Sequence, residues 1–275
     1  VLGSPIAHSL SPALHRAAYA ALGLSDWRYD SFEVDEQGMA GFLSRLGPQW
    51  AGLSLTMPLK RVVIGLLDEI SPLAEQVGAV NTLVLAEDGR RVGSNTDVAG
   101  VIGALADAGI HPEPPGRDAH AGAVILGGGA TAASAVAGLA ALGWRTVTMC
   151  ARSPLRAAEV IEVGQRFDVE VRFAQLDGAA ELVGRAEVTV ATVPGGALAD
   201  LAERAHVATR RNGHPAVLLD AIYDPWPTPL AAAWQRAGGV VVCGREMLIH
   251  QAVDQVTAMT GLTPDVQVLR DAVPH

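Results

Sequence analysis

Apolar positions along the chain fall into two rhythms. In the first, up to about residue 110, the period keeps changing. Val1 to Gly3 reads as the end of a strand, and Leu14, Ala17, Ala18, Ala21 and Leu22 then recur at helical spacing. Ser11 followed by Pro12 predicts a capped start for that helix, and Gly23 its stop. Residues 28 to 34 read as a strand, Met39, Phe42, Leu43 and Leu46 as a helix face, and Leu53 with Leu55 as a strand ending at Thr56–Pro58. Pro58 predicts a further helix carrying Lys60, Val63, Ile64 and Leu67. Val80–Leu85 and Arg90–Gly93 predict a hairpin closed at Asp88 and Gly89, and a helix is expected from Asp97 to Ala108, ended by Gly109.

A proline-rich connector, His111–Ala121, separates this region from a regular one. Strand-like runs at 123–126, 146–150, 169–173, 187–192, 216–220 and 240–243 alternate with helical segments. Such alternation predicts parallel strands with helices on both faces. After Gly244 two helical patterns, 245–260 and 264–272, follow with no strand between them, as if the chain returned to its first half. The expected fold is α/β in two domains, 1–110 completed by 245–275, and 111–244.

Composition narrows the function classes. A chain of 275 residues with 49% hydrophobic and 18% charged residues reads as soluble and globular, with no apolar run long enough to span a membrane and no basic-then-apolar leader. A net charge of −9 speaks against nucleic acid. Cys150 and Cys243 lie in apolar strand-like runs and read as buried thiols of a reducing, cytoplasmic compartment rather than as a disulfide.

Lys60 is the only lysine. A chain that otherwise uses arginine for every fixed positive charge keeps an amine where a compact, deprotonatable group is needed. Asn81 and Asn95, two of the three asparagines, each sit beside a threonine at the hairpin's ends, with Asp97 next to Thr96. Ser9 and Ser11 place hydroxyls near a helix N-terminus, where a carboxylate is held well. In the second half, Ala123–Ala135 (AVILGGGATAASA) carries GxGxxA at Gly127, Gly129 and Ala132, directly after an apolar strand and opening a helix. That context suits a dinucleotide pyrophosphate. The next strand ends without the acidic residue typical of NAD selection and runs instead into Arg152, Ser153 and Arg156, two arginines one helical turn apart. They predict NADP through its 2′-phosphate.

The stretches Ser4–Pro12 (SPIAHSLSP), Leu55–Lys60 (LTMPLK), Gly78–Thr82 (GAVNT), Asn95–Asp97 (NTD), Tyr223–Leu230 (YDPWPTPL) and Gly244–Gln251 (GREMLIHQ), in this order around the glycine turn, resemble the shikimate dehydrogenase family from Gly3 to about Gly261. The resemblance implies NADPH-dependent reduction of 3-dehydroshikimate to shikimate, in a cleft between a substrate-binding, catalytic domain and a Rossmann-type, doubly wound NADP-binding domain. It implies Lys60 and Asp97 as the catalytic pair. Ser9, Ser11 and Tyr223 would hold the substrate carboxylate, and Thr56, Asn81 and Gln251 its hydroxyls. Gly127, Gly128, Gly129, Ala130, Thr131, Ala151, Arg152, Ser153 and Arg156 would bind NADP, with Ala221, Gly244 and Met247 near the nicotinamide. No metal is expected, the partner is the small-molecule substrate, and the protein would be a monomer or homodimer. Ser54, Ala130 and Ala151 depart from the family, which usually has asparagine, glycine and asparagine there, and Ala191–Gly196 keeps only part of the usual loop. A quinate/shikimate dehydrogenase and a non-catalytic nucleotide sensor on the same scaffold are the alternatives.

Overall fold

The computed structural model describes residues 1–112, 122–193, 195–204 and 216–273. The chain divides into two compact units, one of Val1–Gly100 with Leu248–His275 and the other of Val101–Met247. Most of the proline-rich connector lies outside the described residues.

In the first unit, β1 (Leu2–Gly3) is followed by α1 (Ser11–Ala21), which buries Leu14, His15, Ala18 and Tyr19 and ends at Gly23, whose φ of 72° only glycine adopts readily. Ser11 is not this helix's cap. Leu10 occupies the cap position with no side-chain hydrogen bond, and Ser9 Oγ instead accepts from the Ser11 amide at 3.3 Å. Only Phe32–Glu33 of the expected strand 28–34 forms, as β2, because its parallel partner β1 offers two residues to pair with. After α2 (Met39–Leu43), β3 (Gly52–Ser54) leads to α3 (Leu59–Val62), and a 3₁₀ turn over Val63–Leu66 replaces the longer helix expected there. The Lys60 carbonyl accepts from the Val80 amide at 2.7 Å, which takes it out of the helical ladder.

Next come β4 (Glu69–Ile70) and α4 (Pro72–Val77), capped by Ser71. The hairpin of β5 (Thr82–Leu85) and β6 (Arg91–Ser94) closes through Gly89 at φ 85°. The sheet order is β3-β5-β6-β4, antiparallel except for the β4–β6 pair. α5 (Asp97–Asp107) follows directly and stops before Gly109, at φ 84°.

The second unit is a six-stranded parallel sheet in which β7 (Ala123–Leu126), α6 (Ala130–Ala141), β8 (Thr146–Ala151), α7 (Pro154–Arg166), β9 (Glu170–Gln175), α8 (Ala179–Arg185), β10 (Val188–Ala191), α9 (Ala199–Arg204), β11 (Val217–Asp220), α10 (Pro229–Arg236) and β12 (Val240–Cys243) alternate. The order β12-β11-β10-β7-β8-β9 reverses direction between β7 and β10, the doubly wound arrangement. Val124, Leu126, Cys150, Ala191 and Leu218 pack with residues of α8, α9 and α10 on one face. Their strand neighbours Ile125, Met149, Val190 and Leu219 point the other way and are equally buried, so both faces are covered. Cys243 is only half-buried, unlike Cys150.

From β12 the chain enters α11 (Gly244–Thr260), and α12 (Val266–Asp271), capped by Asp265, closes the first unit. There Ile249, Ala252, Val256 and Leu269 pack against Leu14, Ala18 and Tyr19 of α1. Among the described residues no helix is long and apolar enough to cross a membrane.

Within this core His15 is fully buried, stacked on Tyr29 with ring centroids 3.9 Å apart. Its Nδ1 lies 2.9 Å from the Ser11 carbonyl and therefore carries the proton, and Nε2 has no partner among the described residues. Burial pushes the imidazole down to about 3. The unfolded chain binds this proton near pH 6.5 and the folded one does not, so stability falls as pH drops from about 6.5 toward 3. His15→Phe keeps the stack and removes the titration. We predict that urea unfolding between pH 7 and 3 will show an acid-side loss smaller in this variant by roughly 4 kcal/mol. Parallel pH curves for the two proteins would contradict it.

Candidate active site

Three backbone hydrogen bonds assemble the polar site of the first unit. Val80 N donates to Lys60 O (2.7 Å), Leu55 N to Asn81 O (2.7 Å) and Asn81 N to Ser94 O (3.2 Å). They draw the short helix carrying Lys60, the start of the hairpin and its far end together. Asn95 adds to this by donating to Ala79 O (2.9 Å) while its Oδ1 accepts from Val98 N (3.2 Å) in the first turn of α5. The Asn95 role is local scaffolding of the turn that presents Asp97.

Lys60 Nζ donates to Asp97 Oδ2 at 2.6 Å, with the two side chains 14% and 6% exposed. The other carboxylate oxygen, Oδ1, accepts from Asn81 Nδ2 at 2.8 Å. Asn81 Oδ1 faces the Thr96 amide at 2.8 Å, a group that can only donate, and this fixes which way the Asn81 side chain points. Asp97 Oδ1 thereby accepts from Asn81, and the contact with Lys60 runs through Oδ2. Gln251, one face of α11, brings Oε1 to within 3.3 Å of Asn81 Nδ2 and 3.4 Å of Thr96 Oγ1, and its own Nε2 donates to Leu248 O at 2.8 Å.

Of the residues expected from sequence, Lys60, Asp97, Asn81 and Gln251 thus meet in one cluster. Thr56 sits at the start of the Lys60 turn, its carbonyl accepting from Leu59 N at 2.8 Å, and among the described residues no hydrogen bond joins its hydroxyl to the cluster. Ser11 is buried and Ser9 half-buried, their loop closed by the Ser11 N to Ser9 Oγ bond. Sequence reasoning noted Thr82 and Thr96 only as neighbours of the asparagines, and did not single out Gln255. Gln255 lies one helical turn beyond Gln251, a spacing that puts both on one face of a helix and could have pointed to it.

Tyr223 and the nucleotide-binding candidates belong to the second unit. Gly127, at φ 124° after β7, is demanded by the fold, since a Cβ there would run into Thr192 Oγ1 and Val193 Cγ1. Gly129, which caps α6, is different. Its φ of −95° suits any residue and a Cβ would meet nothing within 4 Å among the described residues, so they leave open space at Gly129, in front of the helix N-terminus formed by Ala130 and Thr131. Gly128 links the two and is half-buried. That surface suits an anion approaching backbone amides. β8 ends at the buried Ala151, and Arg152 beyond it is exposed, with no ion pair to any described residue; Ser153 is half-buried, and the side chain of Arg156 lies outside what the structure describes. These features fit a phosphorylated dinucleotide.

At the carboxyl end of β11 the buried Asp220 is clamped, Oδ1 accepting from Ile222 N (3.1 Å) and Oδ2 from Thr228 Oγ1 (2.6 Å), although burial raises its pKa. The clamp pins both ends of the loop bearing Ala221 and Tyr223. Gly244 packs so closely on Ala221 that a Cβ would collide with its backbone, and Met247 is buried one turn later. Among the described residues no cluster of His, Cys, Asp and Glu could hold a metal ion.

Comparison with known proteins adds the following. Residues 1–83 match the family model described as shikimate dehydrogenase substrate binding domain, and residues 244–273 the shikimate 5′-dehydrogenase C-terminal domain. A shikimate dehydrogenase (NADP(+)) of Rubrobacter xylanophilus is 36% identical, covering 99% of this chain and 94% of that protein. The crystal structure of Mycobacterium tuberculosis shikimate dehydrogenase superposes with a TM-score of 0.87 at 43% identity, covering 99% of this chain and 98% of that one. That of Thermus thermophilus shikimate 5-dehydrogenase in complex with NADP(H) and shikimate gives 0.79 at 31% identity, over 98% and 96%.

The two glycines separate folding from binding. Gly127→Ala should destabilise the protein by about 1–3 kcal/mol, while Gly129→Val should change stability by no more than about 0.5 kcal/mol. Gly129→Val should nonetheless weaken NADPH binding at least roughly tenfold, as a side chain would stand where a phosphate approaches. Thermal melts and a fluorescence titration with NADPH measure both; unaltered NADPH affinity in Gly129→Val would refute this reading of the surface.

Proposed function

The chain belongs to the shikimate dehydrogenase family, and on that premise we propose that Lys60 and Asp97 conduct the proton chemistry as it reduces 3-dehydroshikimate to shikimate with NADPH in aromatic amino acid (chorismate) biosynthesis. The observation that carries this is the buried Lys60 Nζ–Asp97 Oδ2 contact at 2.6 Å with Asn81 and Gln251 around it.

When bound, NADPH supplies a hydride to the carbonyl carbon, and a proton must then reach the carbonyl oxygen. Lys60 donates that proton. Its ammonium has three donors, of which one is engaged by Asp97 and the others are available to a substrate oxygen. Asp97 acts behind it. With Oδ1 committed to Asn81, its role is to hold Nζ in place and to balance the charge as the amine gives up its proton and regains one from solvent. Asn81 and Gln251, with Thr56, bind the ring hydroxyls, and Ser9, Ser11 and Tyr223 hold the substrate carboxylate by neutral donors. In the second unit the amides at the Gly127–Thr131 turn take the pyrophosphate, and Arg152 with Arg156 takes the 2′-phosphate that distinguishes NADP. Ala221, Gly244 and Met247 serve the nicotinamide. The partner is this small-molecule substrate, with neither nucleic acid nor membrane, and the protein works in the cytoplasm as a monomer or homodimer.

Steady-state oxidation of shikimate and of quinate, each with NADP and NAD, tests the reading. Turnover should be confined to shikimate with NADP; preference for quinate would indicate a quinate/shikimate dehydrogenase, and no turnover in any combination a nucleotide sensor. Lys60→Ala should lower kcat at least about a hundredfold with NADPH binding retained, and Asp97→Asn should lower it sharply as well. Near-normal turnover in Lys60→Ala would remove the assignment. For the cofactor, Arg152→Ala should cost about one to two orders of magnitude in NADPH affinity and leave NADH binding unchanged, collapsing the selectivity.

A further inference from the structure

Behind the catalytic pair lies a chain of buried polar side chains that the proposed mechanism does not use. Tyr29 OH donates to Ser54 Oγ (2.6 Å), and Ser54 Oγ to Gln255 Oε1 (2.8 Å). Gln255 Nε2 donates to Thr82 Oγ1 (3.0 Å), Thr82 Oγ1 to Asn81 Oδ1 (2.9 Å) and Asn81 Nδ2 to Asp97 Oδ1 (2.8 Å). No member is more than 7% exposed.

The direction of donation is forced at two points. Gln255 Nε2 lies 3.0 Å from the Asn81 backbone carbonyl, which can only accept, so the nitrogen of that amide faces the hairpin and its oxygen faces Ser54. Ser54 must then give its proton to Gln255 and take one from Tyr29. Asn81 Oδ1 lies 2.8 Å from the Thr96 amide, which can only donate, so it is an acceptor, and Thr82, taking a proton from Gln255, gives its own to this oxygen at 2.9 Å, the nearer of its two acceptors, the other being Thr96 Oγ1 at 3.3 Å. Along this path, from Tyr29 onward, each bond is therefore donated toward Asp97, while the second hydrogens of the two amides go to Asn81 O and Thr96 Oγ1. Bonds aligned head to tail polarise one another, and in a buried setting none can be replaced by water.

We infer that Tyr29, Ser54, Gln255 and Thr82 form a one-way hydrogen-bond relay that positions Asn81 and, through it, Asp97 for the proton transfer by Lys60. They are positioning residues, and the inference rests on the proposed dehydrogenase function. It also accounts for the departure at position 54. Where the family usually carries asparagine, the shorter serine hydroxyl is met by the long Gln255 side chain from α11, and the relay stays continuous.

The test is a double-mutant cycle on the full-length enzyme with shikimate and NADP. Gln255→Leu, which fills the volume without donors, should lower kcat about tenfold, and Tyr29→Phe, which deletes one oxygen, about threefold. KM for shikimate should move less than about twofold in both, since neither residue touches substrate. In an Asp97→Asn background the same substitutions should cost nothing further, because the relay then has no carboxylate to act on. Equal losses in both backgrounds, or a change in KM with kcat intact, would show a merely structural role. Wild-type kcat in Tyr29→Phe would likewise overturn the relay and covers the case in which Gln255→Leu does not fold. Inactive wild-type enzyme would instead count against the function itself, so the two failures are told apart by the first control.

Discussion

A lysine and an aspartate, both nearly out of water, impose the constraint around which the first unit's interior is built. Ions in such a place cost several kcal/mol each unless they are paired and their remaining hydrogen-bonding capacity is filled. Here the pairing comes from Lys60 and Asp97, and the filling from Asn81, whose amide can satisfy the carboxylate only because Thr96 N fixes its other end. The contributors stand on a short helix, a hairpin, the start of α5 and the face of α11. A site with this many dependents is also a clasp, because loss of any member leaves a buried polar group unmet. The Lys60 amine is held by Asp97.

The second unit solves a separate problem, how to bring a polyanion against backbone. It uses glycine for opposite reasons at neighbouring positions. Gly127 is needed by the polypeptide, which turns there with a positive φ against Thr192, whereas a side chain at Gly129 would meet none of the described residues. Farther along, Gly244 is a packing glycine pressed on Ala221. A motif that looks uniform in sequence is a set of distinct physical requirements.

How much was readable before the structure differs between the halves. The strands of the second unit were placed almost residue for residue, because a parallel sheet covered on both faces must be apolar along its whole length, and α6, α7, α8 and α10 each start at a proline or directly after a glycine. In the first unit short strands and tight helices blur that signal. The helix after Pro58 was expected to run on, and it gives way to a 3₁₀ turn because the Lys60 carbonyl is taken by Val80, twenty residues later. Ser11 looked like a helix cap, yet the helix begins one residue sooner than a serine cap would need and Ser9 supplies the hydroxyl instead. Local propensity has no access to such partners.

The sequence alone determined which chemistry the chain could hold: one amine kept among arginines, asparagines beside threonines, an acid at a helix start, and a glycine turn followed by arginine rather than by an acid. Those are properties of residue type and short spacing. Only the tertiary structure decided which groups face one another and which way each proton points. Gln255 bonds to residues more than 170 positions away, and the Asn81 amide takes its orientation from a backbone N–H across the hairpin. Hydrogen bonds are set by distance and direction in space, and neither is written in the order of the residues.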